Sequence, residues 1–400
     1  MEKDSNSGSG PFEAGSAPIP DAPLLGYRNY WYPVVEARRI GRRPISVKIL
    51  GEDIVLFPGK EGKVAALVDR CPHRGTMLSR GRILFPGTLS CGYHGWTYNG
   101  DGECVAAIVE GPESNLPGKV RVQSYPTEVR FGIVWAFFGE GDPPPLDEDL
   151  PPELKEPGIM THFTFREWQC NWRNVVENYP DILHAPYVHR TSVEIIFNKV
   201  PAWGKCHFEL LADGKGMHVR GIGGGVQGDY PGVGKFPAHL WWRVLRRRYK
   251  RKEWSGESTA GGDIRMPGNI VVKVRDPYCG VHISNMGWPV PVDEHRTRHL
   301  NFLVTYPGNS IHRLALKIWY NFYFRHVHQL FLRQDRRLIE VQRYREGEHL
   351  SNTDIALIQW RKLAPKIARR AKAATAAAEG QSGKPTQGQD EKERDVGLSR

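Results

Sequence analysis

Two short stretches of this chain combine the residue types that bind transition metals. The first is Cys71-Pro72-His73-Arg74-Gly75, and the second is Cys91-Gly92-Tyr93-His94-Gly95-Trp96. Together they read C-x-H-x17-C-x2-H, with one Cys and one His in each stretch. Two thiolates and two imidazoles suit a 2Fe-2S cluster in which the thiolates hold one iron and the imidazoles the other. Neutral imidazole in place of thiolate removes negative charge from the cluster. This raises its reduction potential, by several hundred millivolts on an order-of-magnitude scale. A zinc knuckle can use the same donors, but its pairs are more often C-x2-C and rarely carry the Pro and Gly that shape these loops.

The preferred reading of Cys71, His73, Cys91 and His94 is therefore the mixed ligand set of a Rieske centre. Such a centre passes single electrons only, so a second redox site must receive them. The segment from Asn174 to His189 offers one, with His184 and His189 five residues apart. On one straight helix that spacing separates the rings by ~140° of rotation, too far to share a metal. Pro186 between them predicts that the helix ends there and that His189 folds back toward His184. Two neutral imidazoles and one carboxylate form the facial triad of non-haem Fe(II) oxygenases, which leaves positions open for O₂. Asp335, within Leu332-Arg333-Gln334-Asp335-Arg336-Arg337, is the candidate third ligand. Asp181, Glu177 and Glu340 compete with it. The plainer role for Asp335 is a surface carboxylate paired with Arg333, Arg336 or Arg337. His326 and His328 are two apart on a predicted helix and point to different faces, so they make a poor ligand pair.

These residues need a scaffold, and the pattern supplies two parts. Residues 1–24 are polar and rich in Gly, Ser and Pro, without an apolar signal core, and read as a disordered lead. Residues 25–142 read as a small antiparallel all-β Rieske 2Fe-2S domain. Its strands are predicted at Tyr30–Glu36, Pro44–Leu50, Asp53–Phe57, Lys63–Val68, Lys119–Tyr125 and Phe131–Phe138. Residues 143–158 open on three prolines and read as a linker. Residues 159–365 form the second domain, the mononuclear iron catalytic domain. It is predicted to hold a strand at Thr161–Cys170, a broken helix over Asn171–His189, and strands at Cys206–Leu211, Asn269–Val274, Val281–Met286 and His299–Thr305. A long helical segment follows at Ser310–Tyr344. Residues 366–400 read as an Ala- and Arg-rich helix that fades into a disordered tail. The fold class is α+β.

Composition narrows the functions further. The chain has 400 residues, enough for two domains, and no apolar run long enough for a transmembrane segment. Of its six cysteines, Cys104, Cys170, Cys206 and Cys279 have no framework spacing and read as buried thiols in a reducing cytoplasm. The net charge is +11, and seven Lys or Arg fall within Arg243–Lys252. That run fits a solvated face or a dock for an acidic electron-transfer protein. A nucleic-acid binder is the weak reading, and no nucleic-acid partner is expected. Gly223 to Gly228 matches G-x-G-x-x-G, but Asp229-Tyr230-Pro231-Gly232 follows and cannot open a helix well. The chain thus lacks its own nucleotide fingerprint, and NAD(P)H is expected to act only indirectly, through a separate reductase.

The motif E-N-x-x-D-x-x-H-x4-H runs through Glu177, Asn178, Asp181, His184 and His189. With the cluster motif it makes the chain similar, over about Leu25 to Pro365, to the α (terminal oxygenase) subunits of Rieske non-haem iron ring-hydroxylating oxygenases. Gly26 to Pro33, Gly141 to Pro145 and Ile358 to Leu363 resemble the carbazole dioxygenase and oxoquinoline monooxygenase branch. The resemblance implies a helix-grip catalytic domain, an antiparallel sheet wrapped by helices. It also implies a ring-shaped homotrimer, in which His94 of one subunit faces Asp181 of the next. Asp181 would hydrogen-bond to His184 and serve electron transfer, Asn178 would belong to the catalytic motif, and Asp335 would complete the iron site. Pro180 departs from the pattern and predicts a bend just before Asp181.

The expected function is a terminal oxygenase. A ferredoxin or reductase would feed the cluster, and Fe(II) with O₂ would hydroxylate an apolar, aromatic or cyclic small molecule. The other class that fits is an electron-transfer Rieske protein with a non-catalytic binding domain; the motif ending at His189 weighs against it.

Overall fold

A computed structural model describes residues 21–189, 205–222, 261–275 and 282–369. The Gly-rich stretch 223–228, the basic run 243–252, Cys279, residues 1–20 and the tail from 370 lie outside the described residues. Three small antiparallel sheets build the first part. One has the order β1-β9-β8, from β1 (Tyr30–Glu36), β8 (Thr127–Arg130) and β9 (Ile133–Phe138). The second joins β2 (Ile45–Ile49), β3 (Glu52–Pro58) and β4 (Val64–Val68). The third joins β5 (Thr88–Ser90), β6 (Trp96–Asn99) and β7 (Cys104–Ala107). These last strands are too short for any periodicity to announce them. Lys119–Tyr125, predicted as a strand, forms none. Arg121 bridges Glu103 while Ser124 bridges Leu67, so its backbone bonds are split between different partners and no ladder forms.

Sequence dictates where the first sheet lies. Every residue of β9, Ile-Val-Trp-Ala-Phe-Phe, is buried, as is all but the end of β1. A continuous apolar run of this kind marks a strand covered on both faces. One cover is the rest of the first part. The other is a seven-stranded antiparallel sheet of order β10-β16-β15-β14-β13-β12-β11. It comprises β10 (Met160–Trp168), β11 (Lys205–Leu210), β12 (Gly216–Ile222), β13 (Gly261–Arg265), β14 (Asn269–Arg275), β15 (His282–Pro291) and β16 (Thr297–Thr305). Trp135 of β9 meets Trp288 of β15 edge to face at 5.8 Å, and Phe131 meets Phe302 at 5.7 Å. A single apolar core therefore runs through both parts. The cluster loops sit on a smaller core of their own, around Val55, Leu67, Leu89 and Tyr98.

The period of two on β16 sorts its side chains. Leu300, Phe302 and Val304 enter the large core, while Leu303 faces the helices with Leu316, Tyr320 and Phe324. The helices are α1 (Trp172–Glu177), α2 (Ala185–Val188), α3 (Ser310–Trp319), α4 (Arg325–Ile339) and α5 (Ile355–Ile367). A π-helical turn, Tyr320–Phe324, joins α3 to α4, and the predicted long helical segment ends at Ile339 rather than Tyr344. Helix α5 had no sequence forecast. The Pro-rich segment expected as a linker packs closely. Leu146, Leu150 and Leu154 are in the large core, and the Asp149 carboxylate accepts the Trp31 N–H at 2.9 Å.

Candidate metal centres

The four cluster candidates occupy the tips of two matching turns. The Cys71 N–H donates to the Thr76 carbonyl and the Gly75 N–H to the Cys71 carbonyl, at 2.8 and 2.9 Å. The second turn repeats this, with the Cys91 N–H to the Trp96 carbonyl at 2.8 Å and the Gly95 N–H to the Cys91 carbonyl at 3.1 Å. Each turn closes on a left-handed residue, Gly75 at φ +72° and Gly95 at φ +69°, where glycine avoids the Cβ penalty. Cys71 and Cys91 are buried, whereas His73 is exposed and His94 half-buried. The two imidazoles lie 4.7 Å apart, and His73 stacks on Trp96 at 4.5 Å. Burial raises the Cys91 thiol, opposed by the Tyr93 amide and reinforced by Cys71. The Tyr98 hydroxyl, a residue the motif did not flag, sits 3.4 Å from Cys71 Sγ. Paired inner thiols and paired outer imidazoles fit a cluster whose two irons have different ligands.

The second site is built from more distant pieces. Asn171 caps α1 by accepting the Arg173 N–H, and α1 ends at Glu177 with Asn178 as its closing residue. The chain then turns through Tyr179 and Pro180. His184 immediately precedes α2 and His189 immediately follows it. Pro186 does not end this helix, as the sequence suggested, but lies in its first turn, where a missing N–H costs nothing. The break falls earlier, at Asn178 to Asp181, and a 3-10 turn at Ile182–His184 replaces the straight-helix geometry. The two rings are thereby brought to 5.6 Å.

Helix α4 brings Asp335 to them. Its Oδ1 is 3.0 Å from His189 Nε2 and 3.5 Å from His184 Nε2. One ligand atom from each of the three residues lies within 4.8 Å of the others. The far ring nitrogens are occupied. His189 Nδ1 lies 2.9 Å from Gln334 Oε1, and His184 Nδ1 donates to the Asp181 backbone carbonyl. Two oxygen acceptors therefore hold both Nδ1 protons, and both Nε2 lone pairs face the Asp335 carboxylate. Asp335 Oδ1 is a buried atom with no hydrogen bond. Three converging acceptors call for a cation, and two imidazoles with one carboxylate match non-haem iron. Without one, a proton substitutes. Burial lowers the His184 pKa, but Asp335 and Asp181 lift it above its ordinary value. Burial likewise pushes the Asp335 carboxyl up, yet the two imidazoles hold it down to about 2.

The competing carboxylates are committed elsewhere. Glu177 receives Arg361 Nε at 2.8 Å and the Tyr344 hydroxyl at 3.0 Å, and Glu340 accepts the Gln169 N–H at 2.9 Å. The Asp181 carboxylate stands 3.8 Å from His184 Nδ1, because the carbonyl of the same residue takes that bond. Burial raises the Asp181 pKa, and His184 opposes this. Asn178 closes α1 and lies outside the converging trio. Sequence reasoning missed Gln334 and Phe331, which stacks on His189 at 3.7 Å. Their places beside Asp335 and one helical turn before it were the available signal.

A β lobe with a paired Cys–His turn motif, joined to a helix-wrapped antiparallel sheet with a converging His–His–Asp site, fits an electron-fed, iron-dependent oxygenase. Comparison with known proteins gives the family. Residues 30–126 match the Rieske 2Fe-2S domain, and residues 137–372 match the homotrimeric ring hydroxylases. The terminal oxygenase component of carbazole 1,9a-dioxygenase from Metapseudomonas resinovorans is 32% identical over 287 residues, 70% of this chain and 72% of that protein. The solved terminal oxygenase from Novosphingobium sp. KA1 superposes with a TM-score of 0.67 at 26% identity, covering 87% of this chain and 95% of that one. A carbazole-bound oxygenase in complex with ferredoxin superposes at 0.70 and 26% identity, covering 91% and 95%. The chain belongs to the ring-hydroxylating Rieske non-haem iron oxygenases. Among the described residues no helix is long and apolar enough to cross a membrane.

Proposed function

We propose that this chain is the terminal oxygenase of a ferredoxin-fed system acting on an apolar, aromatic or cyclic small molecule, as a homotrimer in the cytoplasm. When bound, a Rieske cluster relays single electrons and a mononuclear Fe(II) with open coordination positions activates O₂. Cys71 and Cys91 would hold one iron of the cluster and His73 and His94 the other, and the exposure of the imidazole side would let a donor approach it. His184, His189 and Asp335 hold the mononuclear iron. Gln334 and the Asp181 carbonyl fix the two imidazoles in the tautomer that ligation needs. The Asp181 carbonyl holds His184, which leaves its carboxylate to meet His94 of the partner subunit, so that the residue as a whole would link the two sites. Asn178 closes α1 and Pro180 lies in the turn that follows, so Asp181 falls beyond the helix, at the start of the 3-10 turn Ile182–His184.

The observation that carries this reading is the convergence of three ligand atoms within 4.8 Å, with both Nδ1 positions already engaged. Related oxygenases named for carbazole, one of them crystallised with ferredoxin, support the donor and the fused-ring substrate class. The test is His184→Ala. Purified variant should keep the visible spectrum of the cluster, lose one iron of about three per chain and stop oxygen uptake with substrate. Retention of all the iron and of hydroxylation would overturn the assignment.

A further inference from the structure

Beside the His–His–Asp site, the sheet carries a polar pair that the reaction scheme does not use. The Tyr179 hydroxyl and His299 Nε2 are 2.8 Å apart. His299 lies on β16, 3% exposed, on the side of the sheet that faces the helices. Trp168 of the neighbouring β10 stacks on it at 4.9 Å with an interplanar angle of 20°. Burial lowers the His299 pKa to about 4, so the ring is neutral, and the hydrogen bond between Nε2 and the phenol oxygen is one between two uncharged groups. Burial also raises the Tyr179 hydroxyl well above its ordinary value, so it remains a donor.

The sheet is shaped to receive this hydroxyl. A Cβ on Gly287 of β15 would lie 2.5 Å from the Tyr179 oxygen and 3.1 Å from His299 Nε2. The phenol oxygen thus rests over backbone, where only glycine leaves room. Tyr179 is also two residues before Asp181, whose carbonyl holds His184 Nδ1. Pro180 links them with a fixed φ and no N–H of its own. A stiff connection of this length transmits the position of Tyr179 to the Asp181 carbonyl.

We infer that the Tyr179–His299 bond is a positioning device: it anchors the Tyr179-Pro180-Asp181 strip to β16 and so sets the orientation of the His184 ring toward the iron. The inference rests on the reading of His184 as an iron ligand. A packing role for the phenol ring alone predicts that its hydroxyl is dispensable.

The experiment measures anaerobic Fe(II) affinity and the EPR line shape of bound Co(II), in protein stripped of mononuclear metal but with its cluster intact. Tyr179→Phe keeps the ring and loses the hydroxyl; it should weaken Fe(II) by about tenfold and change the Co(II) line shape. His299→Leu should do the same, and His299→Gln, which retains an acceptor, should recover part of the loss. Gly287→Ala displaces the hydroxyl from the other side and should mimic Tyr179→Phe; it decides the matter if either other variant loses its cluster spectrum. Wild-type affinity and line shape in Tyr179→Phe and His299→Leu, or in Gly287→Ala, overturn the inference. His184→Ala is the separate control: unchanged Fe(II) affinity there would sink the ligand reading, whatever Tyr179 does.

Discussion

The two candidate metal sites are built by opposite strategies. The cluster site comes from two neighbouring turns with the same backbone hydrogen bonds, on a small core that lies almost entirely within one stretch of chain. The His–His–Asp site gathers a broken helix and the far end of a rod that begins after the last strand of the sheet. The first depends on local backbone conformation, the second on remote packing. Substitutions should separate them accordingly.

The largest effect should come from Asp335→Ala. It removes the only carboxylate of the trio, so mononuclear iron and turnover should fall to background while the cluster spectrum stays intact, read by metal analysis and oxygen uptake. A spectrum lost together with the iron would show that the sites are not independent. Next is Arg361→Leu. Arg361 is 5% exposed between Glu177, at the end of α1, and Glu348. Removing it takes the charged partner from Glu177, which keeps only the Tyr344 hydroxyl, and from the more exposed Glu348, a cost of about 1.5–3 kcal/mol, visible as a lowered denaturant midpoint. An unchanged midpoint would mean that α1 is held by its apolar contacts alone.

Gly95→Ala should act in the other region. It places a side chain at φ +69° with its Cβ 2.8 Å from Ile108 Cβ. The strain is about 1–3 kcal/mol, and cluster content should drop. Gly75→Ala should be milder, since its nearest neighbours are the movable guanidinium atoms of Arg70 at 3.3 Å. Equal cluster loss in both would contradict the packing argument. The smallest effect is in pH. The metal-free pKa of His184 is raised, so protons compete for its Nε2 from above the usual imidazole range downward. Fe(II) affinity should therefore weaken by about tenfold per pH unit below that raised value, and level off above it. The depressed Asp335 carboxyl works with the opposite sign. Its contribution to the metal-free fold is present above the ordinary carboxylate range and is lost as pH falls toward about 2.

The same contrast explains what could be read in advance. The four cluster candidates were legible as a set because their spacing is local and their flanking Pro and Gly are the turn itself. His184 and His189 were legible as a pair, and the bend at Pro180 falls where that residue predicted it; Pro186, however, looked like a stop and is in a helical first turn. Asp335 was only one acid among several. What distinguishes it is that Glu177 and Glu340 have other partners, and pairings between distant positions leave no local pattern. Strands β5 to β7 are too short to show alternation. The Lys119–Tyr125 stretch has the right residues but no single partner strand.

The meeting of Trp135 with Trp288, and of Phe131 with Phe302, has a consequence for dissection. A gene cut at the prolines would release a fragment whose most apolar strand, β9, had lost one of its two covers. Such a half would be sticky in water, not an autonomous electron carrier. Recombining halves from different oxygenases should therefore succeed only when the aromatic seam travels with them.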